Sequence, residues 1–270
     1  MARDCRQIHG DSQFGRRSAK RMADLYEKRG FMSTSMQGKV VLVAGGTGGL
    51  GRAISVAFLT SGAHVAVTYL RKDELAALQA GAGGRSADFS GYLVDVTDDG
   101  QVRATVEGIV SAHGRIDVLV NTVGAFAGGI KLWETDPKVF TQMLDLNLRS
   151  GYLLARNVVP QMLKQAGGAI VNVAAKAAFD HAAGASAYAA SKAAAVAMMD
   201  SLAEDLRGTG VRVNSILPSI IDTAANRRAM PNADFSKWPK PEEIARVILF
   251  VCGEEARLIH GASIPVYGNA

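Results

Sequence analysis

Seven short runs rich in β-branched residues punctuate the chain from Lys39 onward: KVVLVA (39–44), HVAVTY (64–69), GYLVDV (91–96), DVLVN (117–121), AIVNVA (169–174), VRVNSIL (211–217) and SIPVYG (263–268). Amphipathic stretches at 50–61, 99–113, 138–163, 186–207 and 241–252 lie between them. Near-continuous apolar strands belong to a sheet covered on both faces, and intervening helices make that sheet parallel. Right-handed crossovers then put helices on both sides. The pattern predicts one doubly wound α/β domain around a seven-stranded parallel sheet, spanning residues 36–270 with no second domain boundary.

A chain of 270 residues can bury a substantial core. Two cysteines, Cys5 and Cys252, exclude a disulfide framework and predict a reducing, cytoplasmic setting. No apolar run approaches the ~18 residues that a membrane span needs, so no membrane partner is expected. The formal net charge of +5 raises the question of nucleic acid. Residues 1–35 hold eight basic residues against four acidic ones, a net +4, which leaves the other 235 residues at +1. The basicity thus belongs to a segment without strong periodicity, read as a poorly ordered extension. The near-neutral body predicts no nucleic-acid partner.

The first apolar run ends in AGGTGGLG (44–51), and a helical pattern follows at once. Glycines at such a turn let the main chain approach an anion, and the N–H groups of the following helix point at it. Between a first strand and a helix, the turn predicts a dinucleotide pyrophosphate site built from Gly45, Thr47, Gly48, Gly49, Leu50 and Gly51. The glycine spacing is G-x-x-x-G-x-G (Gly45, Gly49, Gly51), and Tyr188-x-x-x-Lys192 follows downstream. Together these motifs resemble the short-chain dehydrogenase/reductase family, over about residues 38–270.

That resemblance implies a Rossmann-type nicotinamide site. Asp95 and Val96 of DVTD (95–98) would meet the adenine, and Asn121 and Gly124 of NTVG (121–124) would flank the cofactor. Pro218, Ile220 and Thr223 of LPSIIDT (217–223) would hold the nicotinamide carboxamide, and Asn147 of LDLNLRS would be the catalytic asparagine. Ala44, Thr122, Val123 and Ser219 depart from the family's usual residues. The second strand ends at Tyr69 without the acid that would bond a ribose 2′-OH, and Arg71 and Lys72 follow. NADP(H) is the expected cofactor, with NAD(H) as the alternative.

Tyr188 and Lys192 stand one turn apart on one helix face. A phenol with a reference pKa of about 10 is a poor acid–base group at neutral pH, and a cation within a few Å lowers that value by about 1–3 units. By resemblance, Tyr188 protonates the substrate heteroatom, Lys192 tunes it and holds the ribose, and Asn147 positions a relay water. The family's serine lies thirteen residues before the tyrosine, and here that position is Ala175. Losing one donor to a developing oxyanion costs about 2.7–4 kcal/mol. Three readings stay open: a pre-activated acceptor such as a protonated quinonoid imine, a carbonyl reductase with a donor from elsewhere, or a non-catalytic NADP(H) sensor. The segments AAKAAFD (174–180) and 217–244 also resemble the dihydropteridine reductases, a branch without the serine, which fits the first reading. That branch carries an acid after the second strand, and this chain does not.

Residues 222–240 read as a lid over a small-molecule substrate, with Arg227 and Trp238 as candidate contacts beside Ala175. No metal site is expected. Small residues crowd the helix after Tyr188 (Ala189, Ala190, Ala193, Ala194, Ala195, Ala197), a surface that permits close helix approach. With the family's habit of pairing, this predicts a homodimer or homotetramer.

Overall fold

The computed structural model describes residues 34–81 and 88–269, so all but the last two residues of the expected extension at 1–35 lie outside the described residues. Seven strands form one sheet: β1 (Val40–Ala44), β2 (His64–Tyr69), β3 (Phe89–Leu93), β4 (Val118–Asn121), β5 (Gly168–Val173), β6 (Val211–Pro218) and β7 (Ala262–Val266). Their order is β3-β2-β1-β4-β5-β6-β7, and every neighbouring pair is parallel. The helices are α1 (Gly49–Thr60), α2 (Lys72–Gly81), α3 (Asp99–His113), α4 (Pro137–Leu144), α5 (Ser150–Lys164), α6 (Ser186–Asp205), α7 (Ala224–Ala229) and α8 (Pro241–Cys252).

The period-2 alternation of each strand sorts its side chains between two cores. Val41 and Val43 of β1 join Ile54 and Phe58 of α1 and Ile248 of α8 on one face. Val40 and Leu42 join Ile109 of α3, Leu154 and Val158 of α5 and Met199 of α6 on the other. Because both faces are covered, the central strands carry almost no polar side chains. Local signals end the helices: the Asp98 carboxylate caps α3 by accepting from Gln101 N at 2.9 Å, and Gly114 closes it in the left-handed region at φ 75°. Pro265 lies opposite Leu217 in β7, an edge strand, where sheets tolerate proline.

The third strand differs from expectation. It starts at Phe89, not Gly91, and ends at Leu93, because pairing with β2 runs from Val65 opposite Phe89 to Tyr69 opposite Leu93. As an edge strand with exposed positions it carries too weak an apolar signal to fix its own ends.

The chain winds from β1 outward to β3, then returns and builds β4 to β7 on the other side. The carboxyl ends of β1 and β4 therefore flank a topological switch point, where such sheets bind ligands. Thr122 ties the two halves there: its Oγ1 donates to Ala44 O at 2.7 Å and lies 3.1 Å from Gly45 O.

Candidate active site

The turn after β1 fits a dinucleotide's pyrophosphate. A β-carbon at Gly51 would lie 2.1 Å from Gly45 O, so only glycine lets α1 start this close to the turn. Gly48 caps α1 without any side chain, and the first turn carries no acid. The N–H groups of Gly49, Leu50 and Gly51, which have no intrahelical acceptor, thus face an unblocked anion position. Gly45 N donates to Thr68 Oγ1 at 2.9 Å, which pins the turn to β2. Thr223 packs on the same turn: a β-carbon at Gly49 would lie 3.0 Å from its Cγ2. Thr223 also caps α7, its Oγ1 accepting from Asn226 N at 3.2 Å.

Toward the sheet edge, Tyr69 ends β2 half-buried. Arg71 is exposed and already paired: its NH2 lies 2.6 Å from Asp73 Oδ2 and its Nε 3.8 Å from Glu74 Oε1. Asp95 Oδ1 accepts from Thr97 N at 2.9 Å and Thr97 Oγ1 at 2.7 Å, and Val96 is buried. Asn121 turns its side chain inward, donating from Nδ2 to Asn172 Oδ1 at 3.0 Å and accepting from Val123 N at 3.1 Å. What Asn121 presents to the crevice is main chain.

At the mouth of the crevice, Asn147, Gly124, Tyr188 and Lys192 converge. Asn147 lies in a π-helical turn, Asp145–Arg149, between α4 and α5. Its Oδ1 accepts from Ala125 N at 3.0 Å, and its Nδ2 lies 3.0 Å from both Ala125 O and Ser191 Oγ. Ser191 in turn donates to Tyr188 O at 2.7 Å. A β-carbon at Gly124 would lie 2.6 Å from Asn147 Oδ1 and 3.1 Å from Lys192 Nζ, so this glycine is required by close approach. The Tyr188 ring stands edge-on to Phe126, with centroids 5.0 Å apart and planes at 77°.

The electrostatics differ from expectation. Burial pushes the Tyr188 phenol up to about 12 rather than down. Burial also pushes the Lys192 ammonium down to about 8. Lys192 Nζ donates to Val173 O at 3.0 Å, so the ammonium is turned toward the end of β5. Desolvation alone sets the direction of both shifts.

Ala175 follows β5 with its methyl buried, and nearby hydroxyls are directed elsewhere. Ser191 serves Tyr188 O, while Ser186 Oγ is buried without a partner beside Ala127, Ile130 and Val139. In the 222–240 segment, Arg227 makes a bidentate pair with Asp222 at 2.5 and 2.8 Å and lies over the Phe235 ring at 4.7 Å. Trp238 is buried, its ring 4.9 Å from Phe235. Pro218 closes β6 opposite Val266, and Ile220 is exposed beyond it. Thr122, Phe126 and Glu74 also touch these groups, and the sequence marks them only weakly. Their signals were a threonine in an unusual place, a lone aromatic after the NTVG turn, and an acid three residues after Arg71.

A cavity of about 390 Å³ opens at the amino-terminal ends of β1, β4, β5 and β6 among Lys39, Arg115, Asp117 and Arg212, away from all these groups. Among the described residues, no cluster of His, Cys, Asp and Glu could hold a metal, and no helix is long and apolar enough to cross a membrane.

The profile of the family described as short chain dehydrogenase matches residues 39–234. The chain is 33% identical over 244 residues to a 3-oxoacyl-[acyl-carrier-protein] reductase FabG of Thermotoga maritima, covering 87% of this chain and 98% of the relative. It is 35% identical over 247 residues to a D-threitol dehydrogenase of Mycolicibacterium smegmatis, covering 87% and 93%. Among solved structures, ElxO with NADP bound superposes with a TM-score of 0.81 at 26% identity, covering 85% of this chain and 97% of that one. A short-chain dehydrogenase/reductase from Burkholderia xenovorans gives 0.78 at 34%, covering 86% and 96%. With the sheet order, the glycine turn and the Tyr188–Lys192 helix, these likenesses identify the chain as a member of the short-chain dehydrogenase/reductase family of oxidoreductases.

Proposed function

We propose that this chain reduces a small molecule at a carbon–heteroatom double bond of low oxyanion character, a C=N or conjugated C=O group, using NADP(H) with NAD(H) as the alternative. Cofactor choice is supported by the absence of an acid at the end of β2 and by the NADP held in ElxO, a structural relative. The glycine turn would take the pyrophosphate, Asp95 the adenine, and Ile220 and Thr223 the nicotinamide end. When bound, the nicotinamide supplies the hydride.

The chain's own residues handle the proton and the fit. Tyr188 donates its phenolic proton to the substrate heteroatom. Lys192 holds positive charge behind it. Asn147, fixed by Ala125 and Ser191, keeps the Tyr188 helix in register with the crevice. The exposed Phe126 ring, edge-on to Tyr188, would offer the acceptor an apolar wall.

The single observation behind the acceptor class is Ala175. A buried methyl fills the sequence position of the family's hydroxyl, and burial makes the Tyr188 phenol a weaker acid than free tyrosine. A site of that kind handles an acceptor that gains little negative charge. Quinonoid dihydropterin is one such acceptor. The test is Tyr188→Phe, assayed against a panel of C=N and carbonyl acceptors. Dinucleotide binding should persist, and turnover should fall by about 10²–10⁴. Dinucleotide binding by the wild-type chain without turnover of any acceptor would point instead to a sensor.

A further inference from the structure

The acid missing from the end of β2 arrives from α2. Asp73 and Glu74 stand in its first turn, and both face Arg71, the cation nearest the strand's end. Glu74 also reaches across to the glycine turn, where its Oε2 accepts a hydrogen bond from Thr47 Oγ1 at 3.0 Å. In a doubly wound nucleotide fold the adenosine ribose lies between those two places, with the end of β2 at the 2′ position and the turn at the pyrophosphate. A carboxylate that touches both Thr47 and Arg71 therefore stands on the rim of the 2′ position.

We propose that Glu74, seconded by Asp73, is a specificity-determining residue that weakens the hold on a 2′-phosphate and so lets NADH compete with NADPH. This rests on the dinucleotide site proposed above. A phosphate brings about −1.5 to −2 charge, and to pair with Arg71 it must displace two carboxylates. The Thr47 hydroxyl is already directed at Glu74 and cannot donate to the phosphate at the same time. A neutral 2′-OH meets neither penalty and can itself donate to Glu74.

Glu74→Gln removes the charge while keeping the shape and an oxygen that accepts from Thr47. Titration calorimetry on the full chain gives Kd for NADPH and NADH in wild type, Glu74→Gln, Asp73→Asn, Arg71→Ala and the Arg71→Ala/Glu74→Gln double variant. NADPH binding should tighten roughly three- to fivefold in Glu74→Gln, with NADH held within about twofold. Asp73→Asn should move NADPH the same way by less. The gain should vanish in the double variant, because Glu74 acts partly by occupying Arg71. An unchanged ratio of the two Kd values in Glu74→Gln, or a gain that survives without Arg71, overturns the inference. Failure of both dinucleotides to bind the wild-type chain overturns the cofactor reading, and this inference with it.

Discussion

Gly124 is where the proposed chemistry is most crowded. Its missing side chain lets Asn147 and Lys192 meet at one point of the main chain. Gly124→Ala would force a methyl to within 2.6 Å of Asn147 Oδ1, a buried atom already bonded to Ala125 N. A loss of about 1–3 kcal/mol in urea unfolding and a fall in turnover are expected. Lys192 carries the plainest pH signature. Its folded pKa is about 8 against an ordinary value of 10.5, so the folded state releases this proton first. Between those values the unfolded chain holds more protons, and stability climbs with pH. The climb, read as wild type minus Lys192→Met by chemical unfolding, should be absent below about 8 and complete above 10.5. Tyr188, pushed up to about 12, stays protonated from neutral pH to pH 9. Reduction should therefore fall only as Lys192 loses its charge through about 8, while the reverse oxidation, which needs phenolate, should rise with pH. Sequence spacing puts Tyr188 and Lys192 on one helix face, but it cannot say how dry that face is. The sign of the tyrosine shift depends on burial, a property of the packed fold that the motif does not carry.

At the scale of elements, the switch point depends on small ties between strand ends. Thr122→Val removes the hydroxyl that bonds Ala44 O and Gly45 O. It should cost about 1 kcal/mol in unfolding and loosen dinucleotide binding, read by calorimetry. The strand–helix alternation was legible because both faces of the central sheet are buried and β1, β4 and β5 are apolar apart from Asn121 and Asn172 near their carboxyl ends. Edge strand β3 lies two residues earlier at its start and three at its end than its apolar run, because exposed Leu93 and Gly91 give no clean pattern. The acids of α2 were overlooked for a similar reason. Arg71 and Lys72 look free in the sequence, yet the helical turn folds Asp73 and Glu74 back onto Arg71. In the 222–240 segment, Arg227 looks available to a substrate until Asp222 and Phe235 are seen beside it. Partners set by tertiary packing are what the sequence leaves out.

At the scale of the molecule, the described surface exposes Leu132, Trp133, Phe140 and Tyr152 along the segment leading into α4 and α5. Scattered apolar residues are ordinary, but four large ones on neighbouring elements favour association. Light scattering should give a dimer or tetramer, and a monomer would contradict this. The remaining question is why an oxidoreductase of this family carries a methyl at position 175. The most direct measurement compares wild type with Ala175→Ser on two acceptors of similar size, a simple ketone and a neutral conjugated C=N compound. Ketone reduction should accelerate by about 10²-fold or more while C=N reduction changes little. Equal effects on both, or a wild-type chain that already reduces the ketone faster, would contradict the account.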